Sequence, residues 1–540
     1  MIYTNERLDL AVEDAEAIPH PSEYNLPHDV WRPYQYETVQ WITGNSGVMI
    51  CEQPTGSGKS AVAASQSISR RTISLVRTKY LQKQYGDIYN AHVLMGKGNY
   101  PCAHPDYPTF FADDCPEENM YQCPYAARCE YLDAKKKAQY LPFVSTNYAY
   151  WLSSRTIREN VELLVCDEAH LLSDIVLDWA GMTIPAPVRR KWELPEFPII
   201  NSSIDSLETV QGWLGKSILI LAGKVEDLSF SGRDEDLKEK KRASEQLMKL
   251  ASTSKAVSAC QQDWFVRSGP GVCYYRGAPV PGLVVRPLTA KYHFPRMLIA
   301  DYDMLLMSAT IGSEETFCGE LGIANHWLRR VKNQYAPAER PIYALDVPRL
   351  NYKSQYKDYE RQADEIARAI KMFPPSWSGF VHITRKTEAR KMADRLARRG
   401  LGERVWIPPQ QDRNGRWLGT GDQAILWNER RDRYPGSLCI SWQFWEGMDG
   451  LDEKINIIAK VPFPSLGDEY EKARMRYSKS MYSQRAAWTI MQASGRTRRG
   501  RPQDYDLDGE RRGLVALADG NWTRIKKYIS PDFTDAITAL

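Results

Sequence analysis

The stretch "GVMICEQPTGSGKSAVAAS", Gly47–Ser65, constrains the fold more than any other part of the chain. An apolar run, a glycine-rich octapeptide and an alanine-rich run follow one another without a break, which reads as strand, loop and helix. Glycines let backbone N–H groups close around phosphate oxygens, and the helix start adds partial positive charge. Gln53 opens the octapeptide where the strict phosphate-loop pattern has Gly. Thr55, Gly56, Ser57 and Gly58 would cradle the phosphates of a nucleotide. Lys59 would reach the β- and γ-phosphates, and the Ser60 hydroxyl would ligate Mg²⁺. Such a loop belongs to an open parallel α/β sheet.

The remaining segments extend that pattern. "RTISLVRTKYLQKQY" repeats strand then helix, "VELLVCDEAHLLSD" is an apolar strand ending in carboxylates, and "MLLMSATI" is another strand. From about Pro341, "GFVHITRKTEARKMADRLARRG", "SLCISWQFWEGMDG", "INIIAKVPFP" and "GLVALADG" supply a second set. Two stretches interrupt the alternation, a cysteine-rich one near 95–143 and a charged, helical one near 175–285. Both read as insertions into the first α/β unit.

Asp167 and Glu168 close an apolar strand, where parallel sheets bind ligands. Asp167 would hold the Mg²⁺ shell and Glu168 would orient the attacking water.

Cys102, Cys115, Cys123 and Cys129 are four of the ten cysteines, separated by 12, 7 and 5 residues. Zinc folds pair cysteines two to four apart, and ferredoxin runs are spaced differently again. Spacing alone leaves an iron–sulfur cluster, zinc and unliganded thiols all open. Cys51, Cys166 and Cys439 sit in apolar strands and read as core.

Composition sets the remaining bounds. The chain has 540 residues, 43% apolar and 26% charged, with a net charge of +4, enough for several packed domains and not basic enough to announce a nucleic-acid binder. No window is apolar enough to span a membrane, and the acidic first residues do not resemble a secretory signal, so a reducing cytoplasm is the expected compartment. Between Arg385 and Arg433, thirteen Lys/Arg face seven Asp/Glu, a solvated helix face or a phosphate track.

The ordered set "WRPYQ", "EQPTGSGKS", "VRTKYLQKQY", "STNYAYWL", "VCDEAH", "LMSATI", "SWQFWEGMDG", "VPFP" and "QASGRTRRG" resembles the DinG/XPD-type iron–sulfur DNA helicases of superfamily 2. "GKGNYPC" is similar to that family's way of introducing its first cluster cysteine. The resemblance implies two RecA-like parallel-sheet domains, the first carrying an iron–sulfur insert and a mostly helical arch-like insert. The boundaries expected are 1–95, 144–174 and 286–338 for the first motor domain, 96–143 for the cluster domain, 175–285 for the arch and 339–540 for the second motor domain.

The resemblance also assigns roles. Gln35 would read adenine; His170, Ser308 and Thr310 would couple nucleotide state to DNA grip. Glu446, Gly447 and Asp449 would face the nucleotide from the second domain with Gln492, and Arg496 and Arg499 would act as arginine fingers, Arg498 remaining an alternative to Arg499. The four cysteines would hold a [4Fe–4S] cluster. ATP and Mg²⁺ are the other small-molecule partners. Single-stranded and tailed or forked duplex DNA are the expected macromolecular ones, and the protein is expected to act as a monomer. Candidate DNA contacts are Arg77, Thr78, Asn147–Leu152, Arg385 and Lys386. The activity implied is 5′→3′ DNA unwinding driven by ATP, with strand-tracking without unwinding as the alternative. No appended nuclease domain is expected.

Overall fold

The computed structural model describes residues 18–107, 109–115, 120–200, 206–229, 234–275, 278–412, 415–445, 453–497 and 513–540. Its strands in chain order are β1 (Val48–Glu52), β2 (Thr72–Val76), β3 (His92–Val93), β4 (Phe143–Asn147), β5 (Leu163–Cys166), β6 (Met182–Pro185), β7 (Trp264–Tyr275), β8 (Ala278–Pro287) and β9 (Asp303–Ser308). They continue with β10 (Trp327–Arg330), β11 (Ile342–Ala344), β12 (Gly379–His382), β13 (Val405–Trp406), β14 (Leu438–Ser441), β15 (Ile455–Ile458), β16 (Leu514–Leu517) and β17 (Ile537–Ala539).

Two seven-stranded sheets form the frame, ordered β10-β1-β9-β5-β2-β4-β3 and β13-β14-β12-β15-β16-β11-β17. Every pairing in both is parallel. These are the two parallel-sheet α/β halves expected from the sequence.

Helices cover both faces of each sheet, so the central strands β5, β2, β12 and β15 are buried at every position rather than alternating. Successive residues still part company: Ile50, Leu164, Cys166, Met304 and Leu306 enter one core, and Met49, Cys51, Leu163, Val165, Leu305 and Met307 enter the other. The first of these cores also takes in Trp488, Ile490 and Met491 of the helix Lys479–Ser494, together with Ile458, Val515 and Leu517 of the second sheet. One nearly all-round-buried helix is thus packed between the two sheets. Its continuous apolar surface joins the halves and holds its C-terminal end at the cleft.

A third, antiparallel sheet, β6-β8-β7, belongs to the arch-like insert. Two helices, Ser206–Ser229 and Asp234–Ala259, pack on it. Val210, Leu214 and Leu221 face Ala243, Leu250 and Val257 across a seam with a near-heptad step. The insert contacts the cysteine-rich segment through Lys241, whose ammonium pairs with Asp113. Among the described residues no helix is long and apolar enough to cross a membrane.

Candidate functional site

The phosphate loop sits at the C-terminal end of β1. Gly56 and Gly58 have φ of +83° and +85°, the left-handed region that glycine enters without penalty. A Cβ on Gly58 would stand 2.1 Å from Gln35 Nε2, so the position also needs glycine for close approach. The helix Lys59–Ser65 starts with no side chain capping its first amides, which stay available to an anion. Lys59 Nζ lies 3.5 Å from the carbonyl of Gln53, folded back over its own loop.

Gln35, buried in the first turn of the helix Gln35–Thr43, donates to the Gly58 carbonyl at 3.2 Å and accepts from the Arg32 amide at 2.7 Å. The Arg32 guanidinium donates to the Gly56 carbonyl. Both side chains rest directly on the loop. Arg32 is a contact that the sequence reading left unassigned although it lies inside "WRPYQ".

Asp167 and Glu168 leave β5 towards this loop. Asp167 accepts from the Glu168 amide at 2.9 Å and from the Tyr85 hydroxyl at 3.4 Å, while Tyr148 donates to its carbonyl at 2.6 Å. Burial, then the neighbouring Glu168 charge, pushes the Asp167 carboxyl up to about 6 against the pull of Lys59. The Asp167 carboxylate and the Ser60 hydroxyl are oxygen donors of the kind Mg²⁺ prefers. Glu168 holds φ +52° and ψ +47°, an uncommon conformation for a residue with a Cβ. That twist turns its carboxylate to within 3.4 Å of His170 Nδ1, which also meets Ser308 Oγ at 2.9 Å. Ser308 in turn receives the Thr310 amide at 3.0 Å.

The second half reaches this cluster through the helix Lys479–Ser494. Gln492 Nε2 donates to Glu168 Oε2 at 3.3 Å and to Thr310 Oγ1 at 3.1 Å. Trp488 and Gln484 donate to the Ile311 carbonyl at 2.9 and 2.6 Å. Gly495 closes on Thr55: a Cβ there would be 2.9 Å from Thr55 Oγ1. A cavity of about 290 Å³ lies beside this contact, walled by Thr55, Thr310, Arg330, Arg340, Gly495 and Ser530.

Glu52, at the end of β1, makes a second crossing that the sequence did not signal. It accepts from the amides of Ile311 and Gly312, from Arg330 Nε at 2.8 Å and from the Ser530 hydroxyl at 2.5 Å. Glu446, Gly447, Asp449, Arg498, Arg499 and the side chain of Arg496 lie outside the described residues; the backbone of Arg496 is in the helical turn Gly495–Thr497.

Cys102, Cys115, Cys123 and Cys129 all line one small hollow, with Ala112, Met120 and Tyr125. The hollow is built by a bridge between Pro101 and Phe111, a Cys102 amide bond to the Phe110 carbonyl, and tight turns from Cys123 to Cys129. Cys129 stands at the N-cap of the helix Glu130–Lys137. No three His, Cys, Asp or Glu side chains among the described residues converge as ligands of a single ion would. Four thiols framing one apolar hollow are a donor set suited to a thiolate-ligated metal centre.

One expectation about nucleic acid is corrected. In Asn147–Leu152, Tyr148, Tyr150 and Trp151 are buried. Tyr150 bonds to Tyr131 at 3.0 Å, and Asn147 caps its own helix by accepting from the Tyr150 amide. These rings are core and have no face to offer a base. The basic run, expected as a solvated helix face or a phosphate track, is partly paired within the fold: Arg395, Arg398 and Arg399 pair with Glu360, and Arg399 also with Asp364. Thr78 spends its hydroxyl capping the helix Lys79–Tyr89. Arg77 stays exposed beyond β2, and Arg385 and Lys386 beyond β12.

No family model matches the sequence, and no curated protein matches it. Solved structures do. "Structure of S. tokodaii Xpd4" is similar over 94% of this chain and 100% of its own, with a TM-score of 0.52 and 14% identity. "XPD_APO" is similar over 94% of this chain and 99% of its own, with a TM-score of 0.50 and 14% identity. The agreement covers nearly the whole chain, at an identity where only architecture carries over. The chain therefore has the fold of these XPD structures, as its ordered motifs led us to expect.

Proposed function

We propose that the chain is an ATP-dependent DNA helicase that moves 5′→3′ along single-stranded DNA and separates duplex ahead of it. The observation that carries this reading is the pair of hydrogen bonds from Gln492 in one half to Glu168 and Thr310 in the other. A group that spans the cleft and touches the water-orienting carboxylate makes hydrolysis dependent on how the halves sit.

The phosphates of ATP would lie on the amides of Thr55 to Lys59, with Lys59 swinging from the Gln53 carbonyl to the γ-phosphate. Ser60 and Asp167 would hold Mg²⁺, which neutralises charge on the β- and γ-phosphates. Glu168 takes a proton from the attacking water. His170, hydrogen-bonded to Ser308, relays the position of Glu168 towards the strand ends. Arg496 and Arg499, from the second half, would meet the developing charge on the transferred phosphoryl group. Adenine would be read by Gln35, with Arg32 beside it.

Cys102, Cys115, Cys123 and Cys129 would hold a [4Fe–4S] cluster, which supplies a covalent staple to an insert too small to build a core of its own. The direction of travel rests on kinship of motifs.

The test is ATP hydrolysis with and without single-stranded DNA, followed by unwinding of duplexes carrying a 5′ or a 3′ tail. We expect strong stimulation by DNA, unwinding of the 5′-tailed substrate, and loss of both in Lys59→Ala. Hydrolysis indifferent to DNA would overturn the motor reading.

A further inference from the structure

The second sheet carries an exposed indole whose surroundings fit a nucleic-acid base. β13 and β12 both pair in parallel with β14, so the loops that follow them leave the same edge of the sheet. The loop after β12 brings Arg385 and Lys386 to the surface. The loop after β13 folds into a short hairpin, with Gln411 bridged to Trp417 and the Leu418 amide bonded to the Gln410 carbonyl at 2.9 Å. Lys386 Nζ ties the two loops together through Gln410 Oε1 at 2.7 Å, and Gln423 pins the hairpin base by donating to the Pro409 carbonyl at 3.0 Å.

On this anchored hairpin Trp417 is 69% exposed. A large aromatic left in water on a braced support loses apolar burial and gains nothing within the fold. Arg416 is held between Asp412 and Asp422, whereas Arg385 has no ion-pair partner among the described residues. An unpaired cation, an ammonium and a bare ring on one sheet edge match the alternation of phosphate and base along a single strand.

We propose that Trp417 is a base-stacking platform for single-stranded DNA, with Arg385 and Lys386 holding the adjoining phosphates. The inference rests on the reading of the chain as a single-strand motor, and it moves the stacking role from the buried Asn147–Leu152 segment to the other half of the molecule.

The test compares an oligothymidylate with the same strand carrying abasic sites, by direct binding at one fixed salt concentration. Trp417→Ala should weaken the base-bearing strand about 5- to 150-fold, the range of one base–aromatic stack, and change the abasic strand far less. Trp417→Phe should recover most of the loss. Equal affinity of Trp417→Ala and the unaltered protein for oligothymidylate, or equal weakening on both strands, would overturn the platform. Failure of the unaltered protein to bind either strand would instead overturn the motor reading beneath it.

Discussion

Gln492 Nε2 sits 3.3 Å from Glu168 Oε2, and this one hydrogen bond joins carboxylate chemistry on the first sheet to a helix packed against the second. The bond is to a charged acceptor, which makes it stronger than a neutral one. Because Gln492 also donates to Thr310, the same side chain orients the carboxylate and registers the strand end at β9.

Removing that bridge should uncouple the halves without emptying the nucleotide site. Hydrogen bonds to charged groups contribute about 1.5–3 kcal/mol, so Gln492→Ala should lower DNA-stimulated kcat by about 10- to 150-fold. Binding of ATP, which we propose rests on the phosphate loop, should change little. Steady-state kinetics beside equilibrium nucleotide binding check this; an unchanged kcat would show that the contact is incidental.

The cysteine hollow makes a separable prediction. Cys123→Ser, Cys102→Ser, Cys115→Ser and Cys129→Ser should each lose iron and the brown visible absorbance from anaerobically purified protein. Cys439→Ser should lose neither, since Cys439 is buried in β14 far from the hollow in the fold. Iron retained in all four hollow variants would show that the thiols are not its ligands.

How legible these features were depends on how local their cause is. The phosphate loop and the strand before the carboxylates were legible because their signals are contiguous: Gly56 and Gly58 answer a backbone requirement, and the strands are continuous apolar runs. The arch hairpin β7–β8 was not read, since Gly269, Pro270, Gly271 and Pro281 break the pattern of a strand. Asn147–Leu152 misled because an exposed stacking ring and a buried ring are the same residue in a sequence; burial is set by Tyr131 and Tyr302, which come from elsewhere in the chain. The ion pairs of the basic run were not legible for the same reason, Glu360 and Asp364 lying on a different helix. Glu52 was silent because its four partners come from three separate segments.

Arg474 reaches from the second half into the first and is buried among Asp174 at 2.9 Å, Ser173 at 3.3 Å and Glu320 at 3.5 Å. Burial raises the Glu320 carboxyl, and the Arg474 charge opposes that rise. Arg474→Ala would leave the buried Glu320 carboxylate uncompensated, a loss of about 3–5 kcal/mol. We expect a clearly lower thermal midpoint. Arg474→Ala combined with Glu320→Gln should recover part of it, because the orphaned charge is then gone. Absence of any recovery would locate the loss in packing rather than charge.

His293 gives a pH dependence whose sign can be worked out. Its ring is buried edge-on against Trp264 at 5.4 Å, and Nε2 has no hydrogen-bond partner among the described residues. Burial, helped by the nearby Arg296 charge, pulls the imidazole down to about 4 from its ordinary 6.5. The folded chain therefore keeps His293 neutral where the unfolded chain takes up a proton. Its contribution to stability is complete above about pH 6.5 and is lost as pH falls towards 4, by about 1–3 kcal/mol in all. Denaturant unfolding of the unaltered protein and of His293→Phe across that interval should show the variant losing less stability with acid, while the two curves run parallel above neutrality. Parallel curves throughout the acid range would mean that His293 is protonated in the fold and that its pocket admits water.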